Sequence, residues 1–187
     1  MLTFFKYFLA IGLLLLSFVL APIDVNTDVS KYNQFMGPAA EVQYRNKWGM
    51  DETIFPMKIT ANMDVTDYKM VYYDPWDKQF LSYLVVKYSE DDYHKEVGRL
   101  KEIESTDYIG YYGVTGFTKY ELLAMNADSY NGFVYAITDN VDTIIYVEII
   151  FCNYYMDINY KEYINEDYLP DGFDATMDNQ YMKDNSN

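Results

Sequence analysis

Residues 133–151 read FVYAITDNVDTIIYVEIIF, two apolar runs joined by the polar tetrapeptide Asp139-Asn140-Val141-Asp142. Both runs are too short for ordinary helices and are dominated by Val, Ile, Tyr, Phe and Thr, the side chains that suit a pleated surface. They are expected as strands over Phe133–Thr138 and Thr143–Phe151. The second run is apolar throughout except for Glu148. A strand exposed on one face would alternate, so this one is expected at the centre of a sheet and covered on both sides.

Working upstream, Lys119–Met125 reads as a third strand. It connects to Phe133 through Asp128-Ser129-Tyr130-Asn131-Gly132, where Asn-Gly is the strongest short-range hairpin cue. Earlier still, residues 67–74 (DYKMVYYD) and 80–88 (FLSYLVVKY) flank Asp74-Pro75-Trp76-Asp77, with Asp and Pro in the first two positions of a type I turn. Between the hairpin and the later strands, Ser89 offers an N-cap. Tyr93, Val97, Leu100 and Ile103 form one apolar stripe on a helix over residues 90–103, and Glu90, Asp91 and Asp92 suit its positive end. The order β-β-α-β-β-β with short hairpins predicts an α+β fold: an antiparallel sheet of about five strands with one helix packed on a face. A further short strand is expected around Glu41–Arg45.

At the amino terminus, MLTFFKYFLAIGLLLLSFVLA (residues 1–21) has one charge, Lys6, before an apolar run with no acidic residue. This is the n-, h- and c-region pattern of an export signal, and it predicts an N-terminal hydrophobic helix ahead of the folded body. Pro22 follows the best cleavage position. Lacking an amide N–H and with φ fixed, it fits a peptidase cleft poorly, so a retained anchor is expected over release near Ala21. Residues 4–21 come close to the ~20 apolar residues that span a bilayer. Lys6 lies before the run and Asp24 and Asp28 after it, which puts the N-terminus in the cytoplasm and the remainder outside. The expected organisation is a signal or anchor at 1–21, a linker at 22–34, a single extracytoplasmic domain at 35–174 and a flexible tail at 175–187.

The chain of 187 residues carries 14 Lys and Arg against 29 Asp and Glu, a net charge of −15. Loss of residues 1–21 with Lys6 would make the balance one unit more negative. Such a surface repels phosphate backbones and has no basic stripe, so no nucleic-acid partner is expected. It also repels anionic headgroups, leaving residues 4–21 as the segment that meets the lipid bilayer. One cysteine, Cys152, excludes an internal disulfide framework. Its place in an apolar run favours a small buried hydrophobe over a nucleophile.

Candidate chemistry is sparse. The loop Tyr108-Ile109-Gly110-Tyr111-Tyr112-Gly113-Val114-Thr115-Gly116-Phe117 has glycines at every third position, which is neither GxGxxG nor GxxxxGK. Positive-φ turns account for it best. As a ligand-facing loop it would offer Tyr108, Tyr111, Tyr112 and Phe117, with Trp76, as stacking faces for a glycan or peptide. His94, the single histidine, sits off the apolar stripe among charged neighbours and has no orienting partner. Asp24, Asn26 and Asp28 alternate like the start of a calcium loop, but Val29 stands where glycine is required and Phe35 where the bidentate glutamate belongs. Asn165, Glu166 and Asp167, with Asp171 and Asp174, gather around the Pro170-Asp171-Gly172 turn and read as solvated surface. No catalytic residue, cofactor or metal set is expected. The expected function is a non-enzymatic, exported binding domain that meets an envelope protein. The alternatives are a carbohydrate- or peptide-binding module or inhibitor, and, last, a hydrolase using carboxylates alone.

Overall fold

A computed structural model describes Tyr7 and residues 21–180. The expected hydrophobic helix and the last residues of the expected tail lie outside the described residues. Chain order is β1 (Ile23–Asn26), the single turn α1 (Tyr32–Phe35), β2 (Asp64–Tyr73), β3 (Gln79–Lys87), α2 (Glu90–Lys101), β4 (Glu121–Asp128), β5 (Gly132–Thr138) and β6 (Thr143–Ile150), with several 3-10 turns. The strands form one six-stranded sheet in the order β1-β2-β3-β6-β5-β4, antiparallel at every pairing. The architecture is α+β with few helices and mostly sheet.

β6 lies between β3 and β5, and its side chains from Ile144 to Ile150 are buried. Alternation along the strands feeds two cores. On one face Met70, Phe80, Leu84, Val134, Ala136, Tyr146 and Ile150 meet Tyr32, Phe35, Ile54 and Phe55 from the N-terminal segment, with Tyr93 and Leu100 of α2. On the other, Leu81, Tyr135, Ile145, Val147 and Ile149 meet Tyr112, Val114, Met156, Tyr160 and Phe173. Both covers are mostly irregular chain, so the sheet supplies the order and the loops supply the burial.

α2 begins where its sequence dictates: the Ser89 hydroxyl accepts from the Asp92 amide at 3.4 Å, with three acidic residues in the first turn. Polar bonds lock its inner face. Tyr146 donates to Glu96 Oε1 at 2.7 Å, Arg99 is paired with the same carboxylate, and Arg99 also reaches the carbonyls of Thr53 and Ile54. Helix, sheet and N-terminal cover are thereby joined at one point.

Three stretches differ from expectation. Ile23–Asn26, inside the expected linker, is an edge strand paired in register from Ile23↔Tyr73 to Asn26↔Met70. Ile23 and Val25 alternate with Asp24 and Asn26, but over only four residues directly after Pro22, too short a run to stand out from a polar stretch, and three of the four are exposed at the sheet edge. Residues 41–45 form a 3-10 turn at Val42–Tyr44 instead of a strand; only Tyr44 is buried, edge-on to Phe35 and Tyr72. At the start of the expected tail, the Ala175 carbonyl accepts from the Met156 amide, and Ala175 and Asn179 are buried.

Candidate functional site

Antiparallel pairing brings three turns to one end of the sheet: the β2–β3 turn at 74–78, the β4–β5 turn at 129–131 and the chain leaving β6 at 151–155. Side chains tie them into a rim. Asn153 Nδ2 donates to Asp77 Oδ2 at 3.1 Å, and the Tyr130 hydroxyl donates to Asn153 Oδ1 at 2.6 Å. Tyr130 and Tyr154 pack edge to face at 4.8 Å, and the Trp48 indole donates to the Lys78 carbonyl at 2.9 Å. Asn153 and Tyr154 hold consecutive left-handed backbones, φ 61° and 69°, a strained pair for residues with a Cβ.

A cleft of about 190 Å³ opens in this rim, lined by Trp76, Asp77, Gln79, Cys152, Asn153, Tyr155 and Asp157. Trp76 is 68% exposed. Gln79, itself buried, is pinned on both sides of its amide: its Nε2 donates to Asp157, and its Oε1 accepts from the Asp157 amide at 2.9 Å. The Cys152 thiol is pushed up to about 12 by burial, with Asp77 and Asp157 adding to the rise. It stays protonated at neutral pH and is a poor nucleophile there.

A second polar feature is sealed inside. Lys47 Nζ lies 2.7 Å from Glu148 Oε2 with both side chains 1% exposed, and Ser82 donates to the other carboxylate oxygen at 2.6 Å. The Lys47 ammonium also faces Met36 Sδ and the Phe80 ring, and Glu52 stands 3.8 Å away. Burial pushes the Glu52 carboxyl up, and the nearby Lys47 charge pulls it partly back. Glu148, the one charged residue of β6, is therefore half of a core ion pair. Both side chains of the pair are enclosed, and Glu52, 24% exposed, stands between it and the surface.

The sequence candidates separate. Tyr112 is 1% exposed, edge-on to Phe151 and Phe133, and its hydroxyl donates to the Ser129 carbonyl. Phe117 packs on Tyr135 and Tyr108, while Tyr111 packs against the same core. The edge of Phe117 lines a different cleft, about 270 Å³, whose mouth carries the exposed Lys119–Asp167 ion pair. So the loop faces the sheet, and its stacking surfaces are largely spent on the core. Its glycines answer to backbone geometry: a Cβ on Gly113 would meet the Gly172 carbonyl oxygen at 2.7 Å. Trp76 alone of the five stands out into solvent, in a cleft that shares no lining residue with that of Phe117.

No protein-family model, curated protein or solved structure matches the chain. Local bonding accounts for the acidic candidates. Asp28 accepts from the Ser30 amide and hydroxyl, which holds its carboxyl below the usual range, and Asn165 and Asp174 accept from amides two residues on. Among the described residues, no three of His, Cys, Asp and Glu converge to hold a metal ion. His94 is exposed on α2, against Tyr93. Sequence reasoning names Trp48 beside Trp76 as a possible aromatic platform, but it missed Tyr130, Asn153 and the Gln79–Asp157 clasp. The turn cues mark Tyr130 and Trp76 as turn residues, but their sharing one end depends on β3 pairing with β6, which no local signal announces.

Proposed function

We propose that the chain is an exported domain, held at the outer face of a membrane by residues 4–21, that acts by binding through the rim around Trp76. The observation that carries this reading is the exposed indole of Trp76, set in a cleft whose polar groups are already fixed by bonds to one another. Preformed geometry of this kind lowers the entropic cost of binding, and tryptophan supplies contact area with few rotatable bonds. The protonated Cys152 and the sealed Lys47–Glu148 pair favour binding over chemistry.

Cell fractionation with external protease tests the placement. The account expects the chain in the membrane fraction, with its body digested by protease added outside intact cells. A body protected until lysis contradicts it.

A second reading, a glycan module, has its own support: Trp76 and Tyr155 give aromatic faces beside the carboxylates and amides of Asp77, Asn153 and Asp157. Titration of tryptophan emission with a glycan panel distinguishes it, since a saturable change lost in Trp76→Ala would establish sugar binding. Silence across the panel removes it.

A further inference from the structure

We propose that the rim bearing Trp76 sits in the zwitterionic headgroup layer of the membrane that holds the chain, so that the body rests on the bilayer with no free stalk between them. The proposal rests on the membrane-retained form proposed above.

The apolar run ends at Ala21, and Ile23 is already paired with Tyr73 in the sheet. Two residues of chain reach at most about 7 Å. The polar layer outside the hydrocarbon is of similar depth, about 5–8 Å per leaflet. A sheet whose edge strand begins so near the end of the spanning run cannot stand clear of the headgroups.

Strand direction decides which end faces them. β1 is antiparallel to β2, so Ile23 lies at the end where β2 turns into β3, beside the turn that carries Trp76. The rim continues across the sheet to the β4–β5 turn. At ~4.8 Å per strand, six strands make a base about 24 Å wide.

The surface of this end is distinctive. Among residues 21–180, only three Trp, Tyr or Phe side chains are exposed, Trp48 (37%), Trp76 (68%) and Tyr130 (40%), and all three belong to this rim. Aromatic rings with one polar edge concentrate where hydrocarbon meets water, because ring and polar edge are satisfied together there. The exposed carboxylates at the same end, Asp24, Asp74 and Asp157, choose the lipid. They are repelled by anionic headgroups and tolerated by zwitterionic ones.

Depth-sensitive quenching tests the seat. The full chain is reconstituted in phosphatidylcholine vesicles, either plain or brominated high on the acyl chains, and compared with Trp76→Phe, a change at an exposed position. The Trp76 contribution, taken as the difference between the two proteins, is expected to fall roughly twofold or more in brominated vesicles, as for an interfacial indole. It is expected to recover part of its intensity when phosphatidylglycerol replaces half of the lipid. Chain that floats with the vesicles while Trp76 emits equally in plain and brominated lipid overturns the seat and leaves the anchor standing. Chain that does not float, or that lacks its first 21 residues by mass, overturns both. A soluble glycan that shields Trp76 from acrylamide, with bromolipid silent, assigns the rim to sugar and overturns the proposal.

Discussion

Glu148 shows how one residue carries a cost and a constraint together. It lies in a central strand buried from Ile144 to Ile150, satisfied by Lys47 and Ser82. Removing one partner of such a pair leaves a charge stranded in the core, which costs about 3–5 kcal/mol, whereas replacing both with apolar groups of similar size is often neutral or better. Glu148→Ala should therefore lower stability to urea by roughly 3–5 kcal/mol, and Lys47→Met combined with Glu148→Leu should recover most of it. A double variant that loses as much as Glu148→Ala and Lys47→Met added together would show that the pair is not coupled. The polar character of Glu148 is plain in the sequence, yet its partner is not: Lys47 is 101 residues away in a segment with no period. Cys152 is the opposite case, legible from its apolar neighbours alone. With its thiol raised to about 12, it should resist alkylation at pH 8 until denaturant is added. The raised value also works against stability in alkali. The protonated thiol's contribution is full below its unfolded value near 9 and is lost as pH climbs from there to about 12.

Among the elements, those with local signals were the readable ones. α2 has a cap, an acidic first turn and a stripe, and Ser89→Ala should cost about 1 kcal/mol in thermal or urea unfolding through the lost cap. The two hairpins at Asp74–Asp77 and Asn131-Gly132 were legible for the same reason. Gly132, at φ 105°, opens β5 where a Cβ would fall 2.1 Å from the Ile149 carbonyl oxygen. No small rearrangement relieves a clash with backbone of a central strand, so Gly132→Ala should destabilise more than Ser89→Ala, with loss of hydrogen-exchange protection concentrated in β5 and β6. What could not be read is what lacks repetition. β1 is short and exposed, the cover at 154–175 is built from 3-10 turns, and the glycine loop spends its aromatics on a face that only the folded sheet creates. Positive-φ turns are the better reading of that loop from sequence, and Gly110, Tyr112, Gly113 and Gly116 take positive φ; the alternative, Tyr112 and Phe117 as offered surfaces, arises because a sequence shows a ring and not the direction it turns.

At the scale of the whole molecule, tyrosine does the work that aliphatic residues do elsewhere. Burial pushes the hydroxyls of Tyr32, Tyr135 and Tyr146 well above their ordinary value near 10. In the unfolded chain these phenols lose protons first, so stability is complete below pH ~10 and falls as pH rises beyond it. Absorbance at 295 nm should show one set of tyrosines titrating near its ordinary value and a second appearing only with loss of the circular-dichroism signal. The same scale holds the central claim, that the acidic body is carried outside and kept at the membrane by residues 4–21, with the sheet starting at Ile23. The mass of the intact chain purified from its native membrane fraction tests it most directly. The account predicts a polypeptide that retains residues 4–21; a mature chain beginning near Pro22 contradicts it.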